Sequence, residues 1–259
     1  MRTEDTTLDD LMRPGLATDF FARRTLAPFD PNATTFTVAN ALWLMELSRI
    51  VYRHDVEEPD ALVPPRSAFL KRAGLRQVKF FNGRRRGTQA MLVRGDQFAV
   101  LAFRGTEQEP KDLITDINFR SKDVSGDDVH AGFAEALDIV WPDIEAELKK
   151  IDVPLFYTGH SLGAALATLA AFKHAPRATY TFGSPRVGKA KFAAALQGAP
   201  IFRIVDDLDI VTTVPLEAMG FVHVGSEHQL KEVPEPKILL HVKKKFTDHA
   251  PVNYVDRLG

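Results

Sequence analysis

The stretch from residue 155 to residue 171 has the pattern of a β-strand, a sharp turn and an α-helix. An aromatic and apolar run reaches Gly159-His160-Ser161-Leu162-Gly163, and a segment rich in alanine and leucine, which are strong helix formers, follows it. In such a turn the serine hydroxyl is presented at the carboxyl edge of a sheet. The N–H of the next residue, Leu162, then points to where a substrate carbonyl oxygen would lie. A tight strand-to-helix connection without any chemistry has the same pattern, so Ser161 is a candidate nucleophile that needs partners.

The composition is that of a globular α/β protein rather than a nucleic-acid-binding or disulfide-rich one. The chain has 259 residues, of which 45% are hydrophobic, and its 33 basic and 34 acidic residues give a net charge of −1. That balance provides no overall field that favours nucleic acid as a partner. The absence of cysteine excludes disulfides, thiol catalysis and cysteine-based zinc sites. We therefore predict a single domain over residues 1–259, in which residues 1–33, with three prolines, form an irregular N-terminal arm.

The first ten residues are polar and acidic and lack the apolar core of a signal peptide. No apolar run elsewhere approaches the roughly 20 residues that a membrane-spanning helix needs. The sequence therefore predicts a soluble protein without a transmembrane segment, either cytoplasmic or exported without a visible signal peptide.

The order of the predicted elements favours a central sheet flanked by helices. Apolar periodicity predicts helices from Thr37 to about Arg53 and from about Ala131 to Lys150. Turn residues between short apolar runs predict an antiparallel meander of strands at 77–81, 88–93 and 97–103. Strands and helices alternate over residues 153–205, and a short strand at 221–225 and a helix starting near Asp248 follow. The prediction is an α/β fold with a mostly parallel sheet and antiparallel N-terminal strands.

A serine hydroxyl is a poor nucleophile at neutral pH and needs partners. A base must take its proton, and a carboxylate must orient the base. On a sheet of this kind the expected chain order is serine, carboxylate, histidine. Three candidate carboxylates follow the predicted strand at 201–205, and sheet geometry alone does not choose among them: Asp206, Asp207 and Asp209.

Four histidines lie downstream of these aspartates, namely His223, His228, His241 and His249. His249 is the favoured base, because it lies at a loop-to-helix junction, and loops above a sheet edge deliver catalytic groups. His223 alternates with apolar residues in the short strand, which indicates a side chain that faces solvent or makes a buried hydrogen bond. His160, inside the sharp turn, is expected to make a structural hydrogen bond to a neighbouring strand or loop.

Five short motifs follow one another along the chain. They are Phe103-Arg-Gly-Thr106, Val129-His-Ala-Gly-Phe133, Thr158-Gly-His-Ser-Leu-Gly-Ala-Ala-Leu166, Phe182-Gly-Ser-Pro-Arg-Val-Gly188 and Asp209-Ile-Val211. In order and approximate spacing they resemble the motifs of the class 3 (fungal-type) lipases of the α/β-hydrolase superfamily, from about Thr37 to the C-terminus. The resemblance implies an α/β-hydrolase fold. It also implies hydrolysis of carboxylic esters, with acylglycerols as the favoured substrates and with no cofactor or metal.

The same resemblance implies a role for each of five residues. Ser161 is the implied nucleophile, Asp209 the acid through its Asp-Ile-Val context, and His249 the base through the tyrosine five residues later. The backbone N–H of Thr106, beside that of Leu162, is implied to form the oxyanion hole.

The chain departs from the family pattern at several points. Thr212 follows Asp-Ile-Val where the family often has proline, and Ala164 stands where many members have a further glycine. The disulfides and signal peptide of the secreted fungal members are missing, so the chain resembles a bacterial or intracellular branch. Phospholipase A1 and feruloyl-type esterase activities are alternatives on the same scaffold. A non-catalytic lipid- or partner-binding protein is another, although such a protein has no need of serine, aspartate and histidine together.

Residues 107–118 occupy the position of the family's lid. Leu113, Ile114 and Ile117 are spaced along one side of a two-turn helix. One alternative is a mobile lid that covers the site in water and turns toward a lipid surface, with a transient lipid–water interface as partner. The other is a fixed helix with Leu113 and Ile117 in the core. The sequence leaves the oligomeric state open.

Overall fold

The fold is organised around a central β-sheet. The protein is described from a computed structural model over residues 14–53, 55, 64–83, 87–106, 110–120, 128–206, 209–230 and 248–258. Within these ranges the strands are β1 (Arg76–Gly83), β2 (Thr88–Arg94), β3 (Ala99–Phe103), β4 (Leu155–His160), β5 (Ala178–Phe182), β6 (Gly188–Lys189), β7 (Ile201–Val205), β8 (Phe221–Val222) and β9 (Ser226–Gln229). Seven of them form one sheet in the order β1-β2-β3-β4-β5-β7-β9, and β6 pairs separately with β8.

The sheet is antiparallel at its N-terminal side and parallel elsewhere. Strands β1, β2 and β3 pair antiparallel, whereas β3, β4, β5, β7 and β9 pair parallel with their neighbours. The predicted fold class, a mostly parallel sheet with antiparallel N-terminal strands, is confirmed. Because the carboxyl ends of parallel strands meet at one edge, the loops after β3, β4, β5 and β7 come together there.

Helices cover both faces of the sheet. They are α1 (Val38–Ile50), α2 (Arg66–Arg72), α3 (Pro110–Arg120), α4 (Ala131–Asp138), α5 (Trp141–Leu148), α6 (Leu162–Lys173), α7 (Ala190–Ala195) and α8 (Pro251–Arg257). Helices α3 to α7 contribute to the core on one face, and α1, α2 and α8 contribute to the core on the other. Every residue of β3 is therefore buried, as expected for a strand covered on both sides. No helix in these described ranges is long and apolar enough to cross a membrane.

One predicted helix begins within one residue of the predicted position, and another is divided into two helices in the structure. Thr37 caps α1 and does not belong to it, because its side chain accepts a hydrogen bond from the N–H of Asn40. The single helix predicted over 131–150 is wrong, since the chain forms α4 and α5 with a break between them. Pro142 lies in the first turn of α5. A proline at that position cannot continue α4, because its ring lacks the N–H and would clash with the preceding turn.

The strand predicted at 221–225 is only partly correct. Pairing in β8 stops at Val222, and its partner is β6 outside the main sheet. The partner has only two residues before α7 begins, so no further ladder can form. The edge strand of the main sheet is β9, which follows after Gly225.

The N-terminal arm, described from residue 14 onward, is irregular apart from a short 3₁₀ helix at Pro14–Leu16. Residues 1–13 of the predicted arm lie outside the described ranges. The arm packs against α1 and α8: Asp19 accepts a hydrogen bond from the buried Arg49 guanidinium at 2.7 Å, and Arg23 forms two hydrogen bonds to Asp256, at 2.5 and 2.7 Å. The arm therefore ties the start of the chain to its last helix.

Candidate active site

Ser161 lies in the turn between β4 and α6, in a backbone conformation that L-residues rarely adopt. Its φ is 60° and its ψ is −127°. A positive φ at a residue with a side chain is strained, and such strain is typical of functional turns. The Ser161 N–H donates to the carbonyl of Phe182 in the loop-facing end of β5 at 2.9 Å, which fixes the turn to the sheet. The serine is 2% exposed.

The close packing of the turn explains the glycines two residues on either side of Ser161. A Cβ on Gly159 would overlap the carbonyl of Gly163, and a Cβ on Gly163 would overlap the carbonyl of Phe103 at the end of β3. Strand and helix therefore approach each other as closely as backbone atoms allow.

The structure brings Ser161, His249 and Asp209 together in one hydrogen-bonded chain. The Ser161 Oγ lies 2.8 Å from His249 Nε2, and His249 Nδ1 lies 2.8 Å from Asp209 Oδ2 and 3.0 Å from Oδ1. Because the carboxylate is ionised, the Nδ1–H of His249 donates a hydrogen bond to Asp209. The other ring nitrogen, Nε2, then accepts a hydrogen bond from the Ser161 hydroxyl. All three residues are buried.

Asp209 follows β7 and is held by two further donors. The Tyr254 hydroxyl donates to Oδ2 at 2.6 Å, and the N–H of Val211 donates to Oδ1 at 2.9 Å. Burial alone would raise the pKa of Asp209. The charge and hydrogen bond of His249 and the hydrogen bond from Tyr254 outweigh burial and lower that pKa below its usual value. Asp209 therefore stays ionised beside the histidine.

The other candidate acids and bases have different surroundings. Asp206 accepts a hydrogen bond from Arg257 Nη1 at 2.6 Å. Burial raises the pKa of Asp206 to about 7, although the Arg257 hydrogen bond opposes this shift. His223 Nε2 donates a partly buried hydrogen bond to the carbonyl of Thr212 at 2.9 Å. His228 lies 3.3 Å from the Ser226 hydroxyl on β9. The remaining candidates, Asp207 and His241, lie outside the described residues.

His160 contacts the candidate base, His249, through a hydrogen bond and through its ring. Its Nε2–H donates to the backbone carbonyl of His249 at 2.7 Å, and the two rings lie 4.5 Å apart. Burial, together with the nearby His249, lowers the pKa of His160 to about 3, so this imidazole is neutral. The expected structural hydrogen bond is present, and it fixes the backbone of His249.

The two residues predicted for the oxyanion hole are Leu162 and Thr106. Leu162 is the first residue of α6, where backbone N–H groups have no acceptor within the helix. Thr106 follows Gly105 after the end of β3. A Cβ on Gly105 would lie 3.3 Å from the Ser161 Cβ and 2.7 Å from the His160 carbonyl, so this segment touches the turn.

Gly183 also borders the candidate site, and no role was predicted for it from the sequence. It follows β5 with φ at +57°, and a Cβ there would lie 2.6 Å from Asp209 Oδ2 and 3.0 Å from His249 Nδ1. A glycine directly after a strand at the carboxyl edge of a sheet was the available signal. Arg257 also contacts the loop of Asp209, through Asp206, and no local pattern in the sequence predicts this contact.

Helix α3 covers most of the candidate lid, of which residues 107–109 and the Leu113 side chain lie outside the described part. Ile117 is buried in the core, and Ile114 packs partly buried against it. The carbonyl of Ile117 accepts a hydrogen bond from His130 Nε2 at 3.1 Å. The structure therefore anchors the C-terminal turn of α3, while the mobility of the segment stays a prediction.

Across the described ranges, no group of three or more histidine, aspartate or glutamate side chains is arranged to hold a metal ion.

The chain matches known proteins in sequence and in structure. The profile of the family described as lipase (class 3) matches residues 100–219. A lipase from Rhizopus niveus is 36% identical over 165 residues, which cover 56% of this chain and 42% of that protein. A solved triacylglycerol lipase with a serine protease triad as its catalytic centre has a TM-score of 0.54 at 32% identity, covering 61% of this chain and 68% of that one. With this sheet order and turn, the fold is that of the α/β-hydrolases, and the chain belongs to the class 3 lipase family.

These matches cover only part of this chain and part of each relative. The profile match contains Thr106, Ser161 and Asp209 but ends before His249. The chain spans less than half of the length of the Rhizopus niveus relative. A third relative, phospholipase A(1) DAD1 of Arabidopsis thaliana, is 52% identical over only 67 residues, which cover 22% of this chain and 15% of that protein.

Proposed function

We propose that this protein hydrolyses carboxylic esters through an acyl-serine intermediate, with Ser161 as nucleophile, His249 as base and Asp209 as the orienting carboxylate. The observation that carries the proposal is the hydrogen-bonded chain from the Ser161 Oγ through both nitrogens of His249 to Asp209. The chain starts at a strained residue on a sheet edge. A protein that only binds lipid has no need to maintain strain and a buried, ionised carboxylate at one point.

In the proposed acylation step, the Ser161 Oγ attacks the ester carbonyl carbon while His249 Nε2 takes the hydroxyl proton. The resulting imidazolium gives that proton to the departing alcohol as the ester C–O bond breaks. Asp209 keeps the proton of Nδ1 in place and stabilises the positive charge of the ring. In deacylation, a water molecule takes the place of the alcohol, and its attack returns the acid product and the free serine.

The negative charge on the former carbonyl oxygen is proposed to bind to the N–H groups of Leu162 and Thr106. The first turn of α6 supports this, because its N–H groups and the helix dipole both favour negative charge. The contact between Gly105 and the turn supports Thr106 as the second donor. Each such donor typically contributes roughly 10²–10³ in rate.

Acylglycerols are the proposed substrates, because the Rhizopus niveus relative is a lipase and the solved neighbour is a triacylglycerol lipase. Phospholipids are the second candidate, since the Arabidopsis phospholipase A(1) shares 52% identity over its matched segment. We further propose that residues 107–118 act as a lid and that the protein works at a transient lipid–water interface.

A substrate panel tests the proposal. Tributyrin, a long-chain triacylglycerol emulsion and phosphatidylcholine vesicles are compared with wild-type protein and the Ser161→Ala variant, whose fold is checked by circular dichroism. We expect acylglycerol hydrolysis by the wild type and a loss of at least about 10⁴-fold in Ser161→Ala. A sharp rise in rate above the solubility limit of tributyrin supports the lid, and faster phospholipid turnover favours the second candidate. Full activity in Ser161→Ala contradicts the mechanism.

A further inference from the structure

Each loop that carries a proposed catalytic partner also carries a second aspartate that the mechanism does not use. Asp206 precedes Asp209 by three residues after β7, and Asp248 directly precedes His249. Both side chains are completely buried, with 0% exposure. A carboxylate is expensive to bury unless it is paired, so these two aspartates need a partner inside the protein.

Arg257 is the partner of both aspartates. Its Nη1 atom lies 2.6 Å from Asp206 Oδ2 and 3.0 Å from Asp248 Oδ1, and its side chain is 3% exposed. Hydrogen bonds between a buried guanidinium and carboxylates are among the strongest in proteins. One nitrogen atom on α8 thus connects the loop of Asp209 with the loop of His249.

Tyr254 joins the same helix to the acid loop one turn earlier. Its hydroxyl donates to Asp209 Oδ2 at 2.6 Å and accepts the backbone N–H of Asp206 at 3.2 Å. Residues three apart lie on one face of a helix, so Tyr254 and Arg257 present a single polar face of α8 to both loops.

We propose that Arg257 is a positioning residue, which fixes the separation of Asp209 and His249 by pairing with Asp206 and Asp248. The inference rests on the proposed function. A catalytic constellation must be held within about 0.5 Å of its productive geometry. The elevated pKa of Asp206, raised by burial to about 7, agrees with a carboxylate that depends on the guanidinium for its charge. Of the two Asp206 carboxylate oxygens, Oδ2 accepts from Arg257, and Oδ1 has no hydrogen-bond partner in the described part of the chain.

The test compares Arg257→Met with a matched control, Arg23→Met. Arg23 pairs with Asp256, the neighbour of Arg257 on α8, and with Asp19 in the N-terminal arm. We expect Arg257→Met to lower kcat for p-nitrophenyl butyrate by about 10- to 100-fold, with KM changed by no more than about twofold. Arg23→Met should lower the unfolding midpoint and leave kcat within about twofold of wild type.

A readout that needs no substrate is the downfield proton resonance of the His249 Nδ1–H bonded to Asp209, assigned by its loss in His249→Asn. We expect this resonance in wild type and Arg23→Met, and its loss or broadening in Arg257→Met. Arg257→Lys, which keeps the charge, should restore part of kcat and of the resonance. If Arg257→Met keeps both kcat and the resonance and loses only stability, like the control, the inference is wrong.

The experiment also covers a variant that fails to fold and a wild type that lacks esterase activity. If Arg257→Met does not fold, the variant Asp206→Asn/Asp248→Asn/Arg257→Met, which buries no unpaired charge, takes its place. Loss of kcat and of the His249 resonance in that folded variant supports the inference, and their retention overturns it. If wild type cleaves no ester at all, the proposed function fails, while the resonance still decides whether Arg257 positions His249.

Discussion

At the scale of single residues, the candidate site depends on atoms that are absent as much as on those that react. Gly183 leaves the space in which the Asp209 carboxylate and the His249 ring meet, because any Cβ at this position would contact both. Its left-handed backbone adds a second reason for glycine. The hydrogen bond between acid and base therefore requires a residue that takes no part in it.

The first prediction follows from this crowding. Gly183→Ala should reduce kcat/KM for p-nitrophenyl butyrate by about 10²-fold, because Asp209 or His249 must shift. The matched control is Gly74→Ala: Gly74 has φ at +72°, but a Cβ there meets nothing within 4 Å. Both variants carry the backbone penalty of about 1–3 kcal/mol, measured by urea unfolding. Equal activity in Gly183→Ala and Gly74→Ala would contradict the prediction, because it would mean that Asp209 and His249 remain functional with a Cβ at residue 183.

The residues of the site differ in how far the sequence could predict them. Ser161 is marked by its own neighbours, since strand, glycines and helix surround it. Asp206 and Asp209 both follow β7, and spacing alone could not separate them. What separates them in the structure is Arg257 for the first and His249 for the second, and each of these lies at least 40 residues away. Such pairings depend on the folded chain and leave no local pattern.

At the scale of elements, prediction succeeded where the pattern is local and failed where it depends on a partner. Strand β2 and the start of α1 have strong local signals, and in the structure both begin within one residue of the predicted position. The helix over 131–150 was predicted in one piece because its apolar residues keep helical spacing through Pro142, which starts a new helix instead. The strand at 221–225 is short because β6, its partner, ends after two residues.

Helix α3 shows the limit of an amphipathic pattern. The spacing of apolar residues predicts a helix with one apolar side, and a helix is present at Pro110–Arg120. The pattern does not specify whether that side rests permanently on the core. Ile117 is buried and its carbonyl is bonded to His130, so an opening motion would need to hinge N-terminal to this anchor or break it. The lid remains a prediction for the interfacial rate measurement.

At the scale of the whole molecule, buried ionisable groups couple folding to pH. Burial, with the charges of Arg203 and Arg186, lowers the pKa of His223 from its ordinary 6.5 to about 3. Between these values the unfolded chain binds a proton at His223 that the folded chain does not. Stability therefore falls through this group as the pH drops below 6.5, and the loss is complete only below about 3.

The difference between wild type and His223→Gln isolates this contribution. Relative to the variant, wild type should lose about 1–2 kcal/mol of unfolding free energy between pH 6.5 and pH 5, and the difference should be constant above pH 7. Urea unfolding at half-unit steps of pH measures it. Because His223 bonds the carbonyl of Thr212, in the segment that follows Asp209, esterase activity at pH 7.5 serves as a check that the site is intact. A difference that does not vary with pH would mean that the pKa of His223 is the same in the folded and unfolded chain, as for a solvated imidazole.

In the proposed mechanism, the residues that follow β3, β4, β5 and β7 and those that precede α8 act together to form one covalent bond, between the acyl group of the ester and the Ser161 Oγ. The most direct measurement mixes the protein with p-nitrophenyl butyrate, quenches in acid before the steady state, and maps the adduct by peptide mass. We predict one butyryl group on the peptide that contains Ser161, and none in Ser161→Ala. Turnover of the ester without acylation of Ser161, or an equal adduct in Ser161→Ala, would contradict the account.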